Sequence, residues 1–264
     1  MEIAGFIGAV LIGVTLGLLG GGGSILTIPI LVYLFKMEVV PATAYSLFIV
    51  GTTSLVGIIP KYKAKHIDFR TGLTFGIPSL ASVFITRKWI VPAIPDIILT
   101  LDSFALTKRI LVLGLFALLM IATSYSMIKG RRELIQKVGS KRVLQLVIQG
   151  VGIGLLTGLV GAGGGFLIIP ALVLLAGLPM KVATGTSLFI IGINSLLGFT
   201  GDVMNLDIAW PFLLTIALLS VIGILIGNRL VGYFSSQNLR KAFGWFTMIM
   251  GTGILLRELV WGGI

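Results

Sequence analysis

Apolar residues run through this chain in stretches of helical length, separated by short polar patches. Ile110 to Ile128 and Phe212 to Ile226 are examples, and as helices they approach the thickness of bilayer hydrocarbon. The pattern predicts apolar segments at 3–35, 39–60, 69–87 and 109–128, and again at 143–176, 180–201, 209–228 and 240–258. Between them, WIVPAIPDIILTLDSFALT at 89–107 carries two prolines and two aspartates, which suits an external loop or surface helix. The segments are continuous rather than ten-residue alternations, so they predict membrane helices and not a barrel.

Two of the segments share an unusual interior: GLLGGGGSILTIPILV at 17–32 and GLVGAGGGFLIIPALV at 158–173. Sliding the chain by 141 positions, the separation of Gly13 from Gly154, aligns 13–59 with 154–200 without a gap. Gly20, Gly22, Gly23, Pro29, Thr43, Ser46 and Ser54 then fall on Gly161, Gly163, Gly164, Pro170, Thr184, Ser187 and Ser195. The chain therefore divides into two repeats of one membrane domain, 1–135 and 136–264, each a glycine-broken helix followed by three spans.

Charge then orients the repeats. The loop after the first half's second segment, KYKAKHIDFR, is basic, whereas the equivalent GDVMNLDI has Asp202 and Asp207 and no lysine or arginine. Positive residues favour the cytoplasmic side, so the two loops lie on opposite sides and the repeats are inverted. Loops 61–70 and 129–142, the latter with Lys129, Arg131, Arg132, Lys137, Lys141 and Arg142, are expected in the cytoplasm. That parity requires the glycine run to turn a re-entrant hairpin within the membrane.

Composition agrees: the 264 residues are 56% hydrophobic and 11% charged, with a mean hydropathy of +1.11, too few charges to cover a soluble domain. The expectation is a multi-pass protein of the cell (inner or plasma) membrane. A net charge of +11 is accounted for by topology and anionic lipid, so no nucleic acid partner is expected. No cysteine and a single histidine, His66, leave no convincing metal site, base or nucleophile. Neither an enzyme nor a cofactor is expected. The start, MEIAGFIGAV, lacks the basic region of a cleaved signal and reads as mature protein.

Glycine inside a helix costs about 1 kcal/mol against alanine, and contiguous glycines exceed what close helix packing needs. A run that ends one half-helix and starts another frees backbone N–H groups at a helix N-terminus, which attracts anions. Ser24 can cap that helix in the first copy; Gly165 stands there in the second. Irregular backbone at membrane depth survives beside a cavity between repeats. Thr43, Ser46, Thr53 and Ser54 against Thr184, Ser187, Asn194 and Ser195, with Thr186 beside them, add neutral donors, although any one hydroxyl is expected to bond its own helix. Every acidic residue falls in or beside a predicted loop, so no buried proton relay is expected. Arg87, Lys88 and Arg229 sit near helix ends and are expected to snorkel.

The doubled glycine motif followed by Ile-Pro, with the ATGTSL-type block at 183–188, resembles the sulfite exporter TauE/SafE family over essentially the whole chain. The resemblance implies a permease for sulfur-containing anions such as sulfite, sulfonates and thiosulfate. Carried over, the motif positions are Gly20, Gly22, Gly23, Ser24, Pro29, Thr43 and Ser46, and Gly161, Gly163, Gly164, Gly165, Pro170, Thr184, Gly185, Thr186 and Ser187; the substrate site is expected among their glycines and hydroxyls other than Gly185, with Thr53 and Asn194. The first half departs from the pattern, with Ala44 and Tyr45 where the second has Gly185 and Thr186, so its half-site is bulkier. The function expected is a secondary anion transporter, an exporter working by alternating access at a midplane site. The alternatives are an anion channel or a carrier of a different small anion. An outgoing anion gains about 2.3 kcal/mol per charge per 100 mV of interior-negative potential, without a buried carboxylate. Small residues Ser220, Gly223 and Gly227 on one helix face would suit a homodimer.

Overall fold

The computed structural model describes residues 2–101, 104–129, 140–161, 163–203 and 206–261. Helix α1 (Glu2–Leu19) leads into a 3-10 stretch, Gly20–Leu26, one helical turn, Thr27–Pro29, and five π-helical residues, Ile30–Leu34. Then come α2 (Val39–Lys63) and α3 (Phe69–Ile85), the latter extended by a π-helical turn, Thr86–Ile90. A hairpin of β1 (Ile97–Leu101) and β2 (Phe104–Thr107) precedes α4 (Lys108–Lys129). The second half runs α5 (Ser140–Val160), α6 (Gly165–Pro170) with π-helical Ala171–Leu175, α7 (Met180–Val203), α8 (Trp210–Leu230) and α9 (Ser236–Trp261). Six helical stretches among the described residues are long and apolar enough to cross a membrane. The expectations for Asp102 and for Arg131, Arg132, Glu133 and Lys137 fall outside the described residues.

The predicted segments and the observed helices agree, with one correction. Residues 97–107 are neither loop nor surface helix but an antiparallel hairpin in which Leu101 pairs with Phe104. The run Ile97-Ile98-Leu99-Thr100 is rich in branched side chains that favour strand, which outweighs the prolines just before it.

Both glycine-broken segments fold back on themselves. Gly5 lies against the Phe35 ring, Gly8 against Ile30, and Gly23 against the backbone of Thr15 and Leu16, so the chain after Gly23 returns antiparallel to α1. In the second half Gly164 lies against Thr157 in the same way. Pro29 and Pro170 have no N–H to give the helix, and in both halves the chain widens to π geometry immediately after the proline. Both returns end at a left-handed residue, Lys36 (φ 55) and Gly177 (φ 64), at the same 141-residue offset. The next amide closes the turn in each, Met37 N–H to the Leu31 carbonyl (3.1 Å) and Leu178 N–H to the Leu172 carbonyl (2.9 Å).

The halves pack by reciprocal contacts. Gly13 and Gly17 of α1 seat against Ser220, Gly223 and Gly227 of α8, while Gly154 and Gly158 of α5 seat against Ser79, Ser82 and Thr86 at the end of α3. Close backbone approach of this kind is what small residues permit. The Ser220 face, on which the expectation of a homodimer rested, is thus taken up within the chain; its hydroxyl donates to the Ala9 carbonyl at 2.9 Å. At the centre α2 crosses α7, with Gly51 on Leu196 and Gly192 on Leu55.

Candidate functional site

The two glycine turns meet at the centre of the molecule. Gly21 packs directly on the backbone of Gly165, and its N–H reaches Ser187 Oγ at 3.5 Å. Each turn also meets a threonine from the other half: Gly20 (φ 66) lies against Thr184, and Gly161 (φ 76) against Thr43. A side chain at either glycine would strain the left-handed backbone and strike that threonine. Gly163 adds Val50, Ile191 and the Ser195 hydroxyl to the second turn. Gly22 is covered by the Phe243 ring, and Gly23 and Gly164 by their own hairpins, so these three serve close packing.

The hydroxyl block divides. Thr43, Thr184 and Ser187 donate to their own helices, at the carbonyls of Val40 (2.7 Å), Lys181 (2.9 Å) and Thr184 (2.9 Å), leaving only acceptor capacity. Ser46, Thr53, Ser54 and Ser195 are buried with no hydrogen-bond partner, which is uncommon for buried hydroxyls. Three expectations shift. Ser24 does not cap the helix but donates to the Gly21 carbonyl at 2.7 Å. Thr186 accepts from the Asp68 N–H at 2.9 Å and so holds the 64–68 loop rather than a glycine turn. Asn194 donates to Ser79 Oγ at 2.9 Å and lines an apolar cleft with Gly72, Leu80 and Phe189.

The contact at Thr186 has a counterpart. Tyr45, its equivalent in the first half, accepts from the Ala209 N–H at 2.7 Å, as Thr186 accepts from Asp68. Each half thus uses its α2 or α7 hydroxyl to hold a loop of the other.

Arg87 and Asp202 overturn the expectation that charge stays in loops. Arg87 is fully buried, not snorkelling, because the π-helical turn carries it inward behind Gly158 and Gly161. Its Nη1 donates to Thr43 Oγ1 at 3.0 Å and pairs with Asp202 Oδ2 at 3.3 Å. Nη2 lies against Gly161, and neither Nη2 nor Nε has a hydrogen-bond partner. Those two nitrogens make up one edge of the guanidinium fork, the geometry that grips an oxyanion with two parallel N–H groups. The available signal was the repeat register: at the same offset Arg87 falls on Asn228 and Asp202 on Lys61.

Glu258 is a second correction. It is buried, accepts from Arg109 Nε and Nη2, each at 3.1 Å, and from the Tyr33 hydroxyl at 3.0 Å, and Arg257 stacks over the Tyr33 ring. These contacts tie the returning arm of the first hairpin to α4 and α9.

The family model for the sulfite exporter TauE/SafE matches residues 5–254. The chain belongs to that family. A probable membrane transporter protein of Methanocaldococcus jannaschii is 29% identical to this TauE/SafE protein over 96% of the chain and 94% of its own length. Similar proteins described in the same words occur in Xylella fastidiosa (28% identity, 94% of the chain, 92% of that protein) and Bacillus subtilis (27%, 94% and 93%). No solved structure matches significantly. With its six apolar spanning stretches, this TauE/SafE protein is a multi-pass membrane transporter, and family and relatives alike are named as transporters rather than enzymes.

Proposed function

We propose that this protein is a secondary transporter that exports sulfur-containing anions such as sulfite or organosulfonates, by alternating access at a site between two inverted repeats, 1–135 and 136–264. The observation that carries the reading is the meeting of the glycine turns, each lined by the other half's threonine: Gly20 with Thr184 and Gly161 with Thr43. Rocking one half against the other would open this seam to one side and then the other. The substrate site comprises Gly20, Gly161, Gly163, Thr43, Thr184, Ser187 and the unpartnered Ser46, Thr53 and Ser195. Export accords with the family's description as a sulfite exporter.

Inversion is supported by the α2–α7 crossing. Residue 51 meets 196 and residue 55 meets 192, so these equivalent helices run antiparallel, and the pseudo-twofold axis relating the halves lies across them rather than along them. For helices that span the bilayer, that axis lies in the membrane plane. Each folded-back glycine hairpin then enters and leaves on the same side, which is the re-entrant reading. The loop at 61–70 faces the cytoplasm and the loop at 202–209 the outside.

The test is flux of sulfite, thiosulfate and sulfoacetate into proteoliposomes, with chloride as control. A carrier gives saturable uptake of at least one sulfur anion, abolished by Gly161→Leu or Gly163→Leu. Ohmic currents at channel rates would replace carrier by channel, and no sulfur-anion flux would reject the substrate class.

A further inference from the structure

From the Arg87 site we infer that this transporter moves its anion together with a proton, the Arg87 fork holding the oxyanion and Asp202 carrying the proton. The inference rests on the proposed transport function and deepens it. A guanidinium buried in a membrane protein keeps its charge, so the site needs a negative partner at every stage of the cycle. Without ligand that partner is Asp202, 3.3 Å from Nη1. Nε and Nη2 have no hydrogen-bond partner, and Nη2 lies against the Gly161 turn where Thr43 also sits. An oxyanion arriving there would put two negative charges around one positive charge in a dry site. Neutrality returns when the carboxylate takes up a proton from the aqueous phase: one O–H bond of hydronium breaks as one O–H bond forms on Asp202, and no other bond changes.

The surroundings leave that proton no other nearby home. Arg87 is the only charge facing Asp202 among the described residues. Lys88, next in the chain, is turned away over the rings of Phe84 (5.6 Å) and Trp89 (5.4 Å). α2 contributes Thr43, and the end of α5 and its turn contribute Gly158 and Gly161. The equivalents of Arg87 and Asp202 at the repeat offset are Asn228 in the second half, which donates to the Gly57 carbonyl at 3.3 Å, and Lys61 in the first, so the carboxylate occurs once and a cycle carries a single proton. A monoanion then crosses without net charge. Direction follows the anion and pH gradients and not the membrane potential, and an exporter so built runs on a high internal anion concentration.

The experiment uses the full chain in proteoliposomes with a trapped pH dye. Methanesulfonate, thiosulfate and nitrate are added outside in turn, none of which takes up a proton near neutral pH. Expected for the wild type is acidification of the lumen in step with anion entry, with methanesulfonate flux unchanged when a potassium–valinomycin potential is reversed. Asp202→Asn is expected to move anion without protons and to become sensitive to the potential, whereas Asp202→Glu keeps proton movement. Arg87→Gln is expected to lose saturable uptake. Wild-type anion flux with no proton movement overturns the coupling and leaves the transport reading standing. Proton movement that survives in Asp202→Asn overturns the role of Asp202. Should none of the three anions move, the transport reading fails and the coupling with it. Where Asp202→Asn yields no monodisperse protein, the wild-type proton measurement and the Glu variant still decide the matter.

Discussion

Two threonines at equivalent positions test how the centre is held together. Thr43 and Thr184 each donate to their own helix, but only Thr43 also accepts from a buried cation, Arg87 Nη1 at 3.0 Å. Thr43→Val keeps the shape and strands that N–H, for a loss of about 2 kcal/mol, since hydrogen bonds to charged groups contribute roughly 1.5–3 kcal/mol. Thr184→Val removes one neutral bond and is expected to cost about 1 kcal/mol or less. Thermal unfolding of the two variants in the same detergent checks the order, and equal losses would mean that Arg87 does not draw on Thr43. The sequence made both threonines visible through the repeat. It did not separate them, because the difference comes from residue 87, whose inward turn depends on a local π-helical geometry that no apolar pattern encodes.

At the scale of elements, the loop between α2 and α3 is pinned to α7, and its hold is expected to depend on pH through His66. The His66 carbonyl packs on Gly185, the Asp68 N–H donates to Thr186, and the His66 N–H donates to the Lys61 carbonyl at 3.0 Å. Desolvation, and then the charges of Lys61 and Lys181, hold the imidazole below its ordinary value of 6.5. A group depressed in this way is neutral in the closed loop, while the open loop takes up a proton first. The closed form is therefore fully favoured above about pH 6.5 and weakens as pH falls through 6.5 toward the depressed value. Hydrogen exchange over residues 64–68, corrected for its intrinsic pH dependence, is expected to speed up between neutral pH and about pH 5.5 in the wild type and not in His66→Gln. No change in the wild type would show that the loop does not respond to His66. Elements of this kind were legible only in part. The spans and the helix-breaking glycines follow from apolar length and from the cost of glycine in a helix. The 97–107 hairpin did not, because prolines and aspartates in a short window suit several conformations and only strand pairing chooses between them.

For the whole molecule, pairs of contacts recur at the offset of the proposed repeat, with Gly13 on Ser220 answered by Gly154 on Ser79 and Gly51 on Leu196 by Gly192 on Leu55. The charge pattern at the seam breaks that correspondence, since Arg87 of the first half paired with Asp202 of the second stands against Asn228 of the second half and Lys61 of the first. That asymmetry gives the two equivalent places different charges. It also makes the direction of the molecule in the membrane consequential, and the chain's lack of cysteine makes the direction measurable. Lys65 and Asp207 are exposed residues of the two symmetry-related loops. In intact cells a membrane-impermeant maleimide is expected to label Asp207→Cys at once, and Lys65→Cys only after permeabilisation. In the proposed inverted arrangement the basic loop lies on the cytoplasmic side and the two loops on opposite faces, as the antiparallel crossing of α2 and α7 would place them. Labelling of both from the same side would overturn the inverted arrangement. Labelling of Lys65→Cys alone would keep the inversion and reverse its sense.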